Sequence, residues 1–171
     1  MRRCFWIIGC DENKMKICIF SDSHGFPEPM IKAIKKEKPV LCFFLGDGER
    51  DVKAVQTVFP SLPFYAVRGN CDPRSALSSS IACTVGGISV FATHGHLYNV
   101  KHEPALESLA SAARAEGAAL VLYGHTHTAN QQQKDGITFL NPGALAFTSE
   151  PSYAVLTADK GNFTAEIRTL S

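Results

Sequence analysis

Seven side chains with metal-binding donors stand just after apolar runs in this 171-residue chain. Asp22 and His24 are separated by one residue in Ser-Asp-Ser-His-Gly. Asp47 lies between two glycines, Asn70 follows Gly69, His94 closes Ala-Thr-His, and His125 and His127 again stand two apart in Gly-His-Thr-His. Residues i and i+2 of an extended chain face the same side, so each pair is expected to reach one centre. Glycines beside Asp47 allow backbone to pass close to a bound group. Imidazoles with a few carboxylates suit first-row transition metals. Four histidines, two aspartates and one asparagine, with one carboxylate shared, supply donors for two ions. Two divalent ions against two carboxylates and a hydroxide keep about one net positive charge, and metal-held water can reach a pKa of about 7. Such a centre attracts phosphate and provides a nucleophile.

Taken singly, each motif has a plain structural reading. Gly-Asp-Gly and Gly-Asn are common turns, Asp-x-His recurs widely, and a lone histidine after a strand is often only hydrogen-bonded. Those readings do not explain why all five occur in order, each at the end of a strand-like run.

The runs that must position these residues are short and apolar: 16–20, 40–45, 64–67, 88–92 and 119–123. Their β-branched and aromatic content, closed by glycine, predicts buried strands. Helical spacing predicts helices over Pro29 to Lys38, ending before Pro39, over Asp51 to Phe59, and over Pro104 to Glu116, ending at Gly117. Alternation of strand and helix implies an α/β layered fold with parallel crossovers. Ligands then gather at the carboxyl ends of the strands, as in open α/β sheets. The last third reads differently: 136–140, 153–158 and 163–169 look like antiparallel strands joined by short turns. The expectation is a mixed sheet or two packed sheets in a single domain, 15–171.

Composition sets outer bounds. An apolar fraction of 45% and a charged fraction of 19% fit an ordinary globular chain. The formal net charge of +1 gives no global field for nucleic acid or an anionic membrane. Six cysteines show no close pairing, and Cys18 and Cys42 fall inside apolar runs, which points to a reducing, cytoplasmic setting. Arg2 and Arg3 precede Phe5-Trp6-Ile7-Ile8, a run too short for a secretory segment. Residues 1–14 read as a dispensable extension before Met15. No stretch approaches the roughly 20 apolar residues that span a bilayer.

The ordered set Asp22-x-His24, Gly46-Asp47, Gly69-Asn70, His94 and Gly124-His125-x-His127 resembles the calcineurin-like metallophosphoesterases. The short chain and Asn141-Pro142-Gly143 further resemble their small single-domain phosphodiesterase branch. The resemblance implies a four-layer α-β-β-α sandwich, two mixed β-sheets flanked by helices. It implies that Asp22, His24 and His127 hold one ion, that Asn70, His94 and His125 hold the other, and that Asp47 bridges them. Asp47, Asn70 and His94 count as catalytic as well. Manganese is the metal implied, with iron, nickel or zinc as alternatives. The reaction implied is hydrolysis of a small phosphodiester by a metal-bridging hydroxide. One departure stands out: many family members carry histidine where this chain has Cys71, and a thiol is a weak proton donor. Good leaving groups should therefore be favoured. Asp72 is expected to orient groups around the site or to form a turn before Pro73. His96 is a candidate outer-shell or leaving-group donor, and His102 is expected on the surface.

Three rivals remain at this stage. One is a non-catalytic scaffold like the small subunit of the retromer coat, although all seven positions here carry competent donors. Another is a phosphomonoesterase, which the same centre would serve. The third is a nuclease, disfavoured by a short, nearly neutral chain. A homo-oligomer stays open.

Overall fold

The computed structural model describes residues 14–170, so the expected N-terminal extension lies, apart from Lys14, outside the described residues. Among the described residues, ten strands form two five-stranded sheets. The first sheet has the order β10-β9-β1-β2-β3, built from β1 (Met15–Phe20), β2 (Leu41–Phe44), β3 (Phe64–Ala66), β9 (Ser152–Asp159) and β10 (Asn162–Thr169). The second has the order β4-β5-β6-β8-β7, from β4 (Ser80–Val85), β5 (Ile88–Thr93), β6 (Leu120–Leu122), β7 (Asn130–Lys134) and β8 (Ile137–Asn141). Both are mixed: β1, β2 and β3 run parallel, as do β5, β6 and β8, while β9, β10, β4 and β7 pair antiparallel.

Strand periodicity explains the layers. Side chains alternate faces along a strand, so β1 sends Ile17 and Ile19 to one side and Cys18 and Phe20 to the other. Ile17, Ile19, Leu41 and Phe43 pack against Val90, Ala92, Leu120, Leu122 and Leu140, forming the core between the sheets. Cys18, Phe20, Cys42 and Phe44 meet Met30, Ala33, Ile34, Val52 and Val55 of helices α1 (Glu28–Glu37) and α2 (Glu49–Val58). On the far side, Phe91, Val121 and Phe139 meet Leu109, Ala110 and Ala113 of α3 (Glu107–Ala115). The result is the four-layer α-β-β-α sandwich expected. Cys18 and Cys42 are fully buried, and burial pushes both thiols up, Cys18 to about 12.

Three expectations need correction. The strand at 136–140 is not part of an antiparallel set with 153–158 and 163–169; β8 lies in the second sheet, parallel to β6. The third helix starts at Glu107, not Pro104, because the Glu103 carboxylate takes the Ser108 N–H at 3.0 Å and its hydroxyl at 2.9 Å, closing a turn before the helix. Finally, β4 and β7 were not anticipated. Both are edge strands, and β7 (Asn-Gln-Gln-Gln-Lys) is polar throughout. An edge strand buried on neither face carries no apolar signature.

Candidate metal centre

The seven candidates all follow strand ends, from both sheets. Asp22 and His24 follow β1, Asp47 follows β2 and Asn70 follows β3; His94 follows β5, and His125 and His127 follow β6. Two packed sheets thus present their carboxyl ends to one place. The i, i+2 pairing does not arise from extended chain, as the spacing predicts. Asp22, His24, Asp47, His125 and His127 all adopt left-handed backbone, with φ of 55°, 46°, 61°, 68° and 59°. This region is unfavourable for residues with a Cβ, and such strain clusters at functional sites.

Asp22 is fully buried, and its two oxygens have different fates. Oδ2 accepts the Ser21 hydroxyl at 2.5 Å and the His125 N–H at 3.1 Å. Oδ1 lies 3.0 Å from His127 Nε2 and 3.8 Å from His24 Nε2, yet it has no hydrogen-bond partner of sound geometry. His24 Nε2 and His127 Nε2 are themselves 3.3 Å apart. One carboxylate oxygen and two imidazole nitrogens therefore converge on one point, a donor set that can hold a cation.

A second convergence lies beside it. His94 is fully buried, and its Nδ1–H donates to the Leu45 carbonyl at 2.7 Å. That bond assigns the tautomer and leaves Nε2 as a lone pair, 3.1 Å from Asn70 Oδ1 and 3.4 Å from Asp47 Oδ2. Asn70 is oriented by its amide N–H on the Cys71 sulfur at 3.2 Å, which turns its oxygen inward. Asp47 Oδ1 accepts the Cys71 N–H at 2.7 Å, while Oδ2 also faces His24 Nε2 at 3.9 Å. Asp47 Oδ2 therefore stands between the two groups. His125 packs its ring edge-on against His94, with centroids 4.9 Å apart.

The electrostatics follow from this packing. Burial opposes charge on Asp22 and Asp47, but neighbouring imidazoles and hydrogen bonds hold both carboxyls below the usual range. Burial likewise works against protonated His94, and the Asp47 and Asp22 carboxylates outweigh it, raising its pKa. For His125 the balance reverses: burial first, then the charges of His94 and Lys101, outweigh the same two carboxylates and lower it to about 4.

Cys71, Asp72 and His96 take distinct places. The Cys71 sulfur is close to His24 and Asp47, and desolvation followed by the Asp47 carboxylate pushes its thiol up to about 11. Asp72 does not touch the convergent donors. It accepts the backbone N–H groups of Asp47 (2.8 Å), Gly48 (3.1 Å), Glu49 (3.1 Å) and Gly69 (2.9 Å), fixing the loop that carries Asp47. His96 lies outside His94, ring centroids 5.3 Å apart, with Nδ1 buried and unpartnered. His102 is exposed.

Sequence reasoning missed two supports. Asp51, nearly buried in the first turn of α2, accepts the Ser23 hydroxyl at 2.5 Å and the Gly25 N–H at 2.8 Å, tying down the loop of Asp22 and His24. Asn141 donates to the Gly124 carbonyl at 3.1 Å and the Thr126 hydroxyl at 2.9 Å, and accepts the Gly143 N–H at 2.9 Å. It thereby holds the loop of His125 and His127. The Asn-Pro-Gly turn was the available signal for Asn141; nothing in the sequence singles out Asp51.

A profile of the calcineurin-like phosphoesterase superfamily domain matches residues 15–161, and the chain belongs to that family. The chain is 30% identical over 149 residues to the probable metallophosphoesterase YsnB of Bacillus subtilis (strain 168), with 85% of each chain covered. Among solved structures it is similar to a conserved uncharacterized protein (predicted phosphoesterase) from Streptococcus pneumoniae TIGR4, with a TM-score of 0.76, 27% identity, and coverage of 92% of this chain and 90% of the other. A single mutant of Vps29 from Entamoeba histolytica shares the fold at 19% identity, with a TM-score of 0.72 and coverage of 92% and 100%. Among the described residues, no helix is long and apolar enough to cross a membrane.

Proposed function

We propose that the chain is a phosphodiesterase working with two divalent ions, manganese being the expected metal. The observation that carries this reading is the double convergence of carboxylate, amide and imidazole donor atoms. Asp22 Oδ1, His24 Nε2 and His127 Nε2 meet at one point, and Asn70 Oδ1 and His94 Nε2 at another. Asp47 Oδ2 faces both. Asp22, His24 and His127 would hold one ion, Asn70, His94 and His125 the other, and Asp47 would be shared. When bound, such ions supply Lewis acidity at the phosphoryl oxygens and a water acidic enough to attack near neutral pH.

The chain's own contribution is to hold these donors in place beforehand. Ser21 and the His125 N–H occupy one oxygen of Asp22 and leave the other directed inward. Leu45 fixes the His94 tautomer, and Asp72 fixes the backbone under Asp47. Two carboxylates leave a pair of divalent ions with about one positive charge once the nucleophile's charge is counted, which a diester monoanion matches more closely than a monoester dianion. The Cys71 thiol, at about 11, stays protonated at neutral pH and is a poor acid. Departure of the alcohol therefore depends on its own stability as a leaving group.

The test is a manganese-supplemented assay with bis(4-nitrophenyl) phosphate and 4-nitrophenyl phosphate. Diester hydrolysis should fall by at least about a hundredfold in Asp47→Asn and His94→Ala. Wild-type protein that binds manganese and hydrolyses neither ester would overturn the reading in favour of a scaffold. A preference for the monoester would overturn its diester part.

A further inference from the structure

Two large aromatic side chains stand exposed beside His24: Phe147, 74% exposed, and Phe26, 48% exposed. Their rings meet edge to face with centroids 5.9 Å apart, and the Phe147 ring lies 5.3 Å from that of His24. Single exposed apolar residues are ordinary on protein surfaces. Phe147 differs in how it is held. Its φ is 56°, a left-handed conformation unfavourable for a bulky side chain. The segment leading to it is anchored: Ala144, Leu145 and Ala146 are buried, and the N–H groups of Leu145 and Ala146 donate to the carbonyls of Ser21 and Asp22. The backbone that aims Asp22 into the centre therefore also fixes Phe147 at its rim. Phe26, itself pinned through its N–H to the Ser23 carbonyl at 2.9 Å, supports one edge and leaves most of Phe147 open.

We propose that Phe147, backed by Phe26, is a stacking platform for a planar aromatic group, and that the substrates are phosphodiesters carrying a nucleobase rather than simple alkyl esters. The inference rests on the phosphodiesterase reading, which puts the phosphoryl group at the neighbouring donors. Aromatic side chains stack on any base through its π-face. A base on Phe147 sits one side chain away from His24, within reach of a phosphate joined to it through a sugar. A net charge of only +1 gives the chain no global field to draw in long polymers. A single nucleotide ester fits better than a nucleic acid strand.

The experiment compares binding of adenosine 5′-monophosphate and glycerol 3-phosphate to the manganese-loaded full chain by calorimetry, for wild type, Phe147→Ala and Phe147→Trp. Both ligands carry the same phosphate, so the difference reports the nucleoside, and the part of it lost in Phe147→Ala reports the stacked base. Wild type should prefer the nucleotide by roughly tenfold or more, Phe147→Ala should lose that preference, and Phe147→Trp should keep it. Metal content, measured on the same samples, should not change. No preference in wild type, or a preference that survives Phe147→Ala, overturns the platform. So does equal weakening of both ligands, or dissociation of a dimer by Phe147→Ala, which would make the patch an interface. A protein that shows the preference but hydrolyses no diester retains the platform and loses the phosphodiesterase reading; one that hydrolyses diesters without the preference does the reverse.

Discussion

With its Nδ1–H committed to the Leu45 carbonyl, His94 has only Nε2 left to face Asp47 and Asn70. A proton on that nitrogen would face both oxygens. The Asp47 and Asp22 carboxylates override burial and hold His94 above the ordinary imidazole value of about 6.5. His127 is raised too, chiefly by the Asp22 oxygen beside it. Protons and metal then compete for the same lone pairs. A raised pKa means that protons begin to win while the solution is still above 6.5, so metal affinity should fall as pH falls. Manganese at about a hundredfold over its dissociation constant should stabilise the wild type by about 2.7 kcal/mol in mildly alkaline buffer. Thermal unfolding should show that gain shrinking below pH 6 and absent from His94→Ala at either pH; a pH-independent gain would contradict the assignment. The converging donors were legible in the sequence because histidine and aspartate after a strand advertise themselves by type. The left-handed backbone that turns Asp22, His24, Asp47, His125 and His127 inward was not, because nothing in Ser-Asp-Ser-His distinguishes it from extended chain.

At the level of elements, the loops after β2 and β3 are packed so closely that only glycine fits between them. A methyl on Gly69 would lie 2.0 Å from Asp47 Oδ1 and 2.5 Å from the Asp47 backbone nitrogen. A methyl on Gly46 would lie 2.6 Å from the Gly69 nitrogen. Backbone cannot give way as a flexible side chain can, so Gly69→Ala should destabilise by about 1–3 kcal/mol and displace the Asp47 carboxylate. Urea unfolding with metal analysis of the purified variant checks both; unchanged stability and metal content would refute the close-packing account. The glycines flanking Asp47 were readable as places of close approach, but their neighbour Gly69 was not. Strands were legible wherever both faces are covered, as in β1, β2 and β6. Two of the four edge strands were illegible: β4 has only Val85 buried, and β7 is polar throughout, so neither carries a continuous apolar run.

Across the whole molecule, the first sheet and its helix are tied together by one buried carboxylate. Glu37 at the end of α1 accepts from Tyr153 of β9 at 2.9 Å and from Arg168 of β10 at 2.6 Å, with Lys16 of β1 at 3.4 Å. Burial pushes its pKa up, but Arg168, Tyr153 and Lys16 prevail and hold it below the usual 4.5. A carboxyl depressed by folding contributes stability above its unfolded pKa and loses it as pH falls through the folded value. Glu37→Gln should therefore cost about 1–3 kcal/mol near neutrality, and the gap from wild type should close below pH 4. Denaturant unfolding at both pH values tests this; a gap that widens in acid would reverse the sign. Nothing in the sequence joins Glu37 to Arg168, since 131 residues separate them.

The division of the centre between two sheets has a mechanical side. Asp22, Asp47 and Asn70 travel with the first sheet, while His94, His125 and His127 travel with the second. Apolar contacts such as Phe43 and Leu122 fill the layer between them, while hydrogen bonds at its two ends, His94 to the Leu45 carbonyl and the Gly161 N–H to the Gly86 carbonyl, join the sheets. A pair of ions shared across that seam would act as a further rivet, reinforcing the register that these hydrogen bonds set. The spacing of the two ions would in turn gauge that register, so a small substitution deep in the inter-sheet core could be felt at the phosphoryl site without touching it.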